Sequence, residues 1–395
     1  MVPKTVVEYF NGTLGSDPLR ENSQEIHDLL LFLESTLALI LDLKAIIENK
    51  TVFIKPNLNF VPTKLNPYAM TDPRLLFALV QLIHKNRPKN IIIGEKGGQK
   101  KPSQFSYDLL RQHFNIPSYV ELMPIDTEKR VEIETLTKIT SQKLSLPESY
   151  VRADVVINIP KMKTHSLTDV SLGIKNLFGL LTDEEKIRQH NEDIVFKLVD
   201  LLSIRQPDIT IIDGIFALEG QGPLYGTPRR NNIIVAGNEC LATDAVAAFL
   251  MGFEPAHIAH MALAARYGLG KINFNEIELK GKNPNELRQN FIKADFNYNP
   301  VSNVVDIIKG RDIPSGYLNA ISHSLERIFY ENLNPVPLKI YVGKFANILP
   351  ENKSIIFGDV TADSVHCNDS MVIKGHPPIA FALYDIIKEL FLDIT

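Results

Sequence analysis

Cysteine is scarce in this sequence: only Cys240 and Cys367 occur among 395 residues. Two cysteines cannot build a disulfide framework, and they cannot supply the usual cysteine ligands of an iron–sulfur cluster. We therefore expect two buried or chemically indifferent thiols and no iron–sulfur cluster. Which cofactor the protein uses, if any, stays open on this evidence.

The sequence also lacks an excess of positive charge. Lys and Arg number 42, Asp and Glu number 46, and the net charge is −4. Such a chain has no general attraction to phosphate backbones, which argues against nucleic acid as a partner. Local clusters of basic residues are then best interpreted as sites.

No uninterrupted hydrophobic run is long enough to cross a membrane. The most apolar long stretch, residues 29–47, is broken by Glu34, Asp42 and Lys44, which is typical of a buried amphipathic helix. The first residues show no charged start followed by a long apolar core, so no signal peptide is visible. We expect a cytoplasmic protein without a membrane partner.

Apolar, β-rich segments alternate with segments of helical periodicity. The predicted strands are 51–56, 90–95, 118–125, 153–160, 209–214 and 231–237, and the predicted helices are 72–86, 103–114, 192–204 and 243–252. Asp72 and Pro73 stand where a helix cap and a first helical residue belong. This alternation predicts an α/β fold with a mostly parallel sheet and flanking helices.

The length predicts more than one hydrophobic core. We expect a helical extension packing on the core at residues 1–49 and an α/β domain at 50–333. A small C-terminal α/β module follows at 338–395, with strands at 338–343, 354–359 and 370–375 and a helix at 379–391. The Pro-containing segment 334–337 joins the last two parts.

Polar residues follow the predicted strands where the apolar runs stop, at Lys55, Asn57, Glu95, Lys161 and Asp213. Parallel strands end at the same edge of a sheet, and sites of α/β proteins form there. These residues are therefore expected to line one cleft.

The densest candidate lies in residues 160–181. Lys161, Lys163 and His165 alternate, so an extended segment projects them to one side, and Lys175 and Asn176 follow. Such a cluster can bind a carboxylate or phosphate and move protons. Composition alone favours a solvated basic loop, but the apolar flanks favour a pocket.

The second candidate is the glycine-rich segment 211–230, with Asp213, Glu219, Gly220 and Gly222. Backbone N–H groups of such a loop can cradle an anion, although a plain turn is an equally good interpretation. His257 and His260, three residues apart, permit a metal pair. No further ligand lies nearby in sequence, so packing is the better explanation and no metal site is predicted.

In these residues the sequence resembles the bacterial and archaeal domain-of-unknown-function family 362. The shared features are listed in chain order: Lys55–Asn57, residues 157–179, His190 before a helix, residues 211–226 and residues 242–252. The resemblance implies an α/β fold and adds His190 to the candidate site. Many members resemble proteins that carry iron–sulfur clusters, often through an attached ferredoxin-like module, and no such module is visible here.

Family-like sequences often carry cysteines in a C-terminal GDC…GCPP pattern. The matching positions here are Val360 and His376, although Cys367 and His376 remain a conceivable partial metal pair. The resemblance thus gives no support for a cluster in this segment.

The leading hypothesis is an enzyme with Lys/His acid–base chemistry on a small anionic metabolite, a carboxylate or phosphate. The candidate catalytic residues are His165, Lys163, Asp213 and Glu219, the last two as partners of His165. The candidate substrate-binding residues are Lys55, Asn57, Glu95, Lys161, Lys175, Asn176, His190, Gly220 and Gly222. The alternatives are a redox protein that has lost its cluster and a non-catalytic anion-binding protein, and a homo-oligomer is compatible with all three.

Overall fold

The computed structural model divides into two compact units. The large unit comprises residues 1–183 and 195–294, and the small unit comprises 184–194 and 295–395. The residues described are 2–58, 68–96, 103–182, 184–186, 194–295, 298–313, 315–346, 354–363, 371–375 and 380–390. Among the helices in these ranges, none is both long and apolar enough to span a membrane.

The large unit contains twelve described strands and a set of helices between them. The strands are β1 (Lys4–Tyr9), β2 (Thr51–Pro56), β3 (Asn90–Glu95), β4 (Val120–Pro124), β5 (Arg130–Glu134), β6 (Lys143–Pro147), β7 (Val155–Ile159), β8 (Lys161–His165), β9 (Asp169–Ser171), β10 (Ile209–Glu219), β11 (Thr227–Gly237) and β12 (Glu278–Gly281). The α-helices are Ser23–Ala38, Leu43–Ile47, Pro73–Lys85, Ser103–His113, Glu148–Arg152, Gly173–Leu177, Ile194–Ile204, Cys240–Leu250, Ala259–Arg266 and Pro284–Leu287. Short 3₁₀ helices occur at Phe178–Leu180, Pro255–His257 and Phe274–Glu276.

The main sheet has the strand order β12-β1-β11-β10-β7-β2-β3-β4, and β8 pairs with both β10 and β9. Every neighbouring pair from β10 to β4 is parallel. The carboxyl ends of these five strands therefore meet at one edge, as the sequence predicted. β2 and β7 are buried almost throughout, which explains why they appear in the sequence as continuous apolar runs.

The helix Pro73–Lys85 shows how local sequence sets an element boundary. The Asp72 side chain accepts a hydrogen bond from Arg74 N (2.9 Å), and Pro73 occupies the first turn, where its missing N–H has no consequence. Ten of its thirteen residues are buried, and it packs against the helix Ser23–Ala38. The predicted cap and start of this helix are confirmed.

The N-terminal segment differs from its prediction as a helical extension. Residues Lys4–Tyr9 form β1, which inserts into the main sheet between β11 and β12. The apolar stretch 29–47 belongs to two helices instead of one, and Asp42 caps the second by accepting from Ala45 N. β1 has only six residues, three of them fully buried, so its sequence pattern is much weaker than the helical pattern that follows it.

A second difference concerns the connection between β10 and β11. Both strands are eleven residues long, they pair antiparallel, and the glycine-rich residues 220–226 join them as a hairpin. The predicted strands 209–214 and 231–237 are the parts of this hairpin that also pair with β7 and β1. The sheet is thus parallel in its centre and mixed toward β11 and β1.

The small unit has its own parallel sheet and core. Its strands are β13 (Val305–Lys309), β14 (Leu338–Val342), β15 (Ser354–Phe357) and β16 (Met371–Ile373), and its helices are Ser315–Tyr330, Asp359–Ala362 and Ala380–Leu390. The three strands and the helix predicted after 337 are confirmed. Because β13 pairs with β14 and the first long helix packs against the last one, this unit begins well before the predicted boundary at 338. The sequence of residues 271–337 is rich in turn-forming residues, and its pattern does not indicate the strand Val305–Lys309 or the helix Ser315–Tyr330.

Candidate functional site

Four charged residues meet at the carboxyl edge of the main sheet. Lys55 and Glu95 stand at the ends of β2 and β3, while Lys161 opens β8 and lies opposite Asp213 of β10. All four have at most 1% of their surface exposed. Charged groups buried this deeply are stable only when they are paired and hydrogen-bonded.

Lys55 and Glu95 form the first buried ion pair. Lys55 Nζ lies 2.8 Å from Glu95 Oε2 and also donates to the Pro56 carbonyl. The carboxylate accepts two further hydrogen bonds, from Leu58 N and Lys96 N. The Phe178–Leu180 turn closes over this pair: a Cβ atom added at Gly179 would lie 2.8 Å from Lys55 Nζ. The pair is therefore part of the framework of the site.

Lys161 and Asp213 form the second buried ion pair, with 2.9 Å between Nζ and Oδ2. Asp213 also accepts from the backbone N–H groups of Asp72 and Ile215. The first of these bonds ties β10 to the start of the helix Pro73–Lys85. Asp213 is thus saturated with donors that hold the framework together.

Lys163, two residues after Lys161 on β8, is buried but has different surroundings. Its side chain is 1% exposed, and Nζ donates to the Ala69 carbonyl at 2.8 Å. Burial and, to a smaller extent, the charges of Lys175 and Lys161 together lower the pKa of Lys163 to about 7, while the charge of Glu95 acts in the opposite direction. At neutral pH this amine is therefore divided between its charged and neutral forms.

Lys175 supplies a second ammonium group near Lys163, on a side chain that is half-buried. It lies on the helix Gly173–Leu177, whose first two N–H groups donate to the carboxylate of Asp244 at 2.6 and 2.8 Å. Burial lowers the pKa of Lys175 to about 8. Its Nζ lies 4.5 Å from the centroid of the Phe178 ring, a cation–π contact. Within the described residues, no carboxylate lies within ion-pair distance of Lys175.

His165 ends β8 and is 5% exposed. Its Nδ1 accepts a hydrogen bond from Leu167 N at 3.0 Å, so the neutral ring carries its proton on Nε2. Glu219, predicted as a partner of His165, instead pairs with Arg229 at 2.8 Å and accepts from Ile292 N. Asp213 likewise accepts hydrogen bonds from Lys161 Nζ, Asp72 N and Ile215 N. Both carboxylates therefore have contacts that hold the framework, and their role as partners of His165 stays a prediction.

The two asparagines have different surroundings. Asn176 donates to the Lys55 carbonyl and to Asn158 Oδ1, and so it links β2 and β7 to the helix that carries Lys175. Asn57 is 6% exposed and its Oδ1 has no hydrogen-bond partner among the described residues. A buried amide oxygen without a partner is costly, which makes Asn57 the better candidate to contact a ligand.

The glycine-rich loop is hydrogen-bonded to β8 and to the segment after it. The backbone N–H groups of Gly220 and Gly222 already have hydrogen-bond partners within the protein. Gly220 N donates to the Ile292 carbonyl and Gly222 N to the Gly220 carbonyl, while Thr164 and Ser166 donate to carbonyls of the loop. Protein carbonyls already accept from these two N–H groups in this structure, and their role in anion binding stays a prediction.

We expect Gly222→Ala to destabilise the large unit by about 3 kcal/mol. A Cβ atom at this position would lie 2.0 Å from the Thr164 carbonyl oxygen. Because both atoms are fixed by the backbone, no side-chain rotation can relieve this clash. The matched control is Gly220→Ala, where no atom lies within 4 Å. Its φ of +75° alone makes that change cost about 1–2 kcal/mol. Denaturant unfolding and hydrogen exchange at the Ser166 amide measure both variants. Equal destabilisation by the two changes would contradict the proposed contact with β8.

The sequence analysis had attributed His260 to packing, and the structure makes it unusual. His260 is 1% exposed, and neither ring nitrogen has a hydrogen-bond partner in the described part of the chain. Burial, followed by the charge of Lys175, lowers its pKa to about 3, so the ring is neutral. His257 is exposed, and no group of three metal-ligating side chains was found among the described residues.

Residues 52–249 match the protein family described as Domain of unknown function (DUF362). The chain belongs to this family. The match covers every candidate site residue named above except His260. The family assignment made from the motifs is therefore confirmed.

Two known proteins are similar to this family member. A thylakoid-associated protein from Synechocystis sp. is 32% identical over 210 residues, which cover 51% of this chain and 60% of that protein, less than two thirds of its length. The lactate racemase apoprotein from Thermoanaerobacterium thermosaccharolyticum aligns with a TM-score of 0.38 and 11% identity, over 88% of this chain and 74% of that chain.

Two predictions about this family member concern residues outside the described ranges. His190, a candidate substrate-binding residue, lies there, as do Cys367 and His376 of the C-terminal pattern. Val360 lies on the short helix Asp359–Ala362. The absence of an iron–sulfur cluster therefore stays a prediction.

Proposed function

We propose that this DUF362 family member is an enzyme that binds a small carboxylate or phosphate at Lys163 and Lys175 and transfers a proton there. The proposal rests on the closeness of two lysines, Lys163 and Lys175. Lys163 is buried and Lys175 is half-buried, the two lie within electrostatic reach of each other, and their pKa values are lowered to about 7 and 8. Two such cations repel each other in the ligand-free protein, and a bound anion would relieve that repulsion.

The roles of the surrounding residues follow from their contacts. Lys175 remains the more strongly charged group and would hold the anion. Lys163 exchanges a proton most readily near neutral pH and would act as the acid–base group. His165 would donate from Nε2, and Asn57 would contact the ligand through its amide. A proton transfer next to a carbon that bears a carboxylate, as in racemisation, isomerisation or elimination, fits an amine base beside cations.

A non-catalytic anion-binding protein would use the same cluster, and turnover distinguishes the two. An enzyme that removes a carbon-bound proton exchanges it with solvent. Small carboxylates incubated with the protein in D₂O would therefore incorporate deuterium, which NMR or mass spectrometry detects. Binding without incorporation for all carboxylates that bind would favour the non-catalytic alternative.

The binding claim is tested by thermal melting of the wild type over a series of phosphate, sulfate and dicarboxylate concentrations at constant ionic strength. A ligand at one hundred times its Kd stabilises the folded state by about 2.7 kcal/mol. We expect the melting temperature of the wild type to rise with anion concentration. Lys163→Met and Lys175→Met keep much of the apolar stem and remove the charge, so both should lose most of this response.

The matched control is Lys89→Met, since Lys89 is an exposed lysine of the large unit. It should keep the full anion response. Without ligand, the Lys163 and Lys175 variants should be no less stable than the wild type, because a desolvated, repelled charge has been removed. Identical anion responses in the wild type and all variants would show that the cluster is not an anion site.

A further inference from the structure

Asp244 is a buried carboxylate on a largely apolar helix. It lies on Cys240–Leu250, where ten of the eleven residues are buried, and none of its own surface is exposed. Within the described residues, no cationic side chain lies within ion-pair distance of it. A carboxylate without a cation is costly to bury, so packing alone would favour an apolar residue at this position.

The carboxylate supplies the cap that a neighbouring helix lacks. The helix Gly173–Leu177 follows Leu172, whose side chain cannot accept a hydrogen bond, so its first N–H groups have no local partner. Asp244 Oδ1 accepts from Gly173 N at 2.6 Å, and Oδ2 accepts from Ile174 N at 2.8 Å. A helix of five residues does not form alone, and it therefore depends on contacts such as these.

Two asparagines hold the same helix to the main sheet. Asn158 Nδ2 donates to the Gly173 carbonyl at 2.9 Å. Asn176 Nδ2 donates to Asn158 Oδ1 at 2.8 Å and to the Lys55 carbonyl at 3.0 Å. Lys175 lies along the chain between the fixed residues Gly173 and Asn176. Its backbone therefore has little freedom to move while these hydrogen bonds are intact.

The contact between Asp244 and the helix leaves no spare room. A Cβ atom added at Gly173 would lie 2.6 Å from Asp244 Oδ1, 2.8 Å from Cys240 Sγ and 3.1 Å from Thr210 Cγ2. Glycine at this position lets the start of the helix approach the carboxylate closely enough for both hydrogen bonds. A single methyl group would separate the two partners.

We propose that Asp244 is a positioning residue of the anion site, which caps the helix Gly173–Leu177 from a neighbouring helix and so fixes Lys175 where it can hold an anion. This inference rests on the proposed function, because it takes Lys175 as a group that binds the anion. Asp244 is fully buried and acts through Lys175, without touching the ligand. When the cap is weakened, the helix spends less time in the position that binds, and the apparent affinity falls by that fraction.

The experiment compares sulfate binding by the wild type and by Asp244→Asn, using isothermal titration calorimetry at pH 7.5. Burial raises the pKa of Asp244 to about 7, so its carboxylate is mostly ionised at this pH. The amide oxygen of Asn can accept from one of the two N–H groups, and its nitrogen cannot accept from the other. We expect sulfate to bind about three- to tenfold more weakly to the variant, the effect of losing roughly one hydrogen bond.

Gly173→Ala tests the same contact from the other side and leaves the carboxylate in place. Its methyl group should push the start of the helix away from Asp244 and weaken sulfate binding in the same direction. This variant decides the question if Asp244→Asn does not fold. Adding either change to Lys175→Met should cause no further loss of the remaining sulfate response in thermal melting, because no ammonium group is left to be positioned.

The matched control is Asp200→Asn. Asp200 is equally buried and accepts from the backbone N–H groups of Ile139, Thr140 and Ser141, in a loop that carries none of the site residues. This variant should lose stability and keep the sulfate affinity of the wild type. The control separates a positioning role from a general loss of stability.

The possible outcomes separate the two proposals. Unchanged sulfate affinity in every folded variant of the Asp244–Gly173 contact would overturn the inference and leave the proposed function intact. The same holds for an equal loss of affinity in Asp200→Asn, and for a further loss on top of Lys175→Met. If the wild type does not bind sulfate, or if Lys175→Met binds it equally well, the proposed function is refuted and the inference with it.

Discussion

Lys55→Met lowers the free energy of unfolding of the large unit by about 3–5 kcal/mol, the cost expected when one member of a buried ion pair is removed. The cause is Glu95, which would remain as a buried carboxylate with no cation. Its hydrogen bonds from Leu58 N and Lys96 N would remain but cannot neutralise its charge. Chemical denaturation of the wild type and the variant measures the difference.

The double variant Lys55→Met with Glu95→Gln is the control for this prediction. It removes both charges and keeps an amide oxygen that can accept from one of the two backbone N–H groups. We expect it to recover most of the lost stability, because replacing both members of a buried pair costs far less than removing one. If the double variant is as unstable as Lys55→Met, then packing of the lysine stem accounts for the loss instead of the unpaired charge.

Asp213→Asn has the second large effect, about 3–5 kcal/mol of lost stability. Lys161 would remain buried without its carboxylate, and the single amide oxygen would have to replace acceptors that now serve Lys161, Asp72 N and Ile215 N. Because the bond from Asp72 N fixes the start of the helix Pro73–Lys85, that helix should also exchange its amide hydrogens faster.

Glu219→Gln tests whether this effect is specific to Asp213. Glu219 is the other carboxylate once assigned to His165, and its partner Arg229 is partly exposed, with 31% of the side chain accessible. An ion pair of this kind contributes about 0–1 kcal/mol. If Asp213→Asn and Glu219→Gln lower the free energy of unfolding by similar amounts, the buried Lys161–Asp213 pair is no more important for stability than the partly exposed Arg229–Glu219 pair. That result would contradict the prediction.

The sequence predicted which polar residues stand at the carboxyl ends of neighbouring strands, because strand ends carry a local signal. Lys55, Glu95 and Lys161 each stand where an apolar run meets polar residues, and the parallel order of the central strands brings those ends together. Side chains two residues apart project to the same side of a strand. Lys161, Lys163 and His165 have this spacing, and all three lie on β8.

The partners of these side chains could not be predicted from the sequence. Glu95 lies 40 residues from Lys55 and Asp213 lies 52 residues from Lys161, and no local pattern links such distant positions. A single sequence also shows that Lys163 is basic without showing that it is buried against other cations. In the sequence, Lys55 and Lys161 look the same as Lys163 and Lys175, although the first two form buried ion pairs with carboxylates.

Glu219 and His260 show what the sequence does not reveal about side-chain partners. Glu219 resembled an acid–base group because it lies in a glycine-rich loop, yet the β10–β11 hairpin turns it toward Arg229. His260 resembled a packing residue because helical spacing reveals that a face is buried and does not reveal whether a buried nitrogen has a partner. Hydrogen-bond satisfaction is a property of the tertiary structure.

The central claim is that desolvated lysines bind the anion in their ammonium form, and the pH dependence of sulfate binding tests it most directly. Sulfate keeps its charge between pH 6 and 9, so any change in affinity over this range arises from the protein. Lys163 and Lys175, with pKa values of about 7 and 8, are both charged at pH 6 and largely neutral at pH 9. The affinity should therefore fall as pH rises through this window.

Calorimetric titration of the wild type and Lys163→Met at pH 6, 7.5 and 9 is the decisive measurement. We predict that the wild-type affinity falls by about tenfold or more from pH 6 to 9, as expected for groups whose charged fraction drops to a tenth or less. We also predict that binding at pH 7.5 takes up protons, seen as a dependence of the heat on the buffer. Lys163→Met should bind weakly at every pH and take up fewer protons. A wild-type affinity that is constant or rises toward pH 9 would contradict the account.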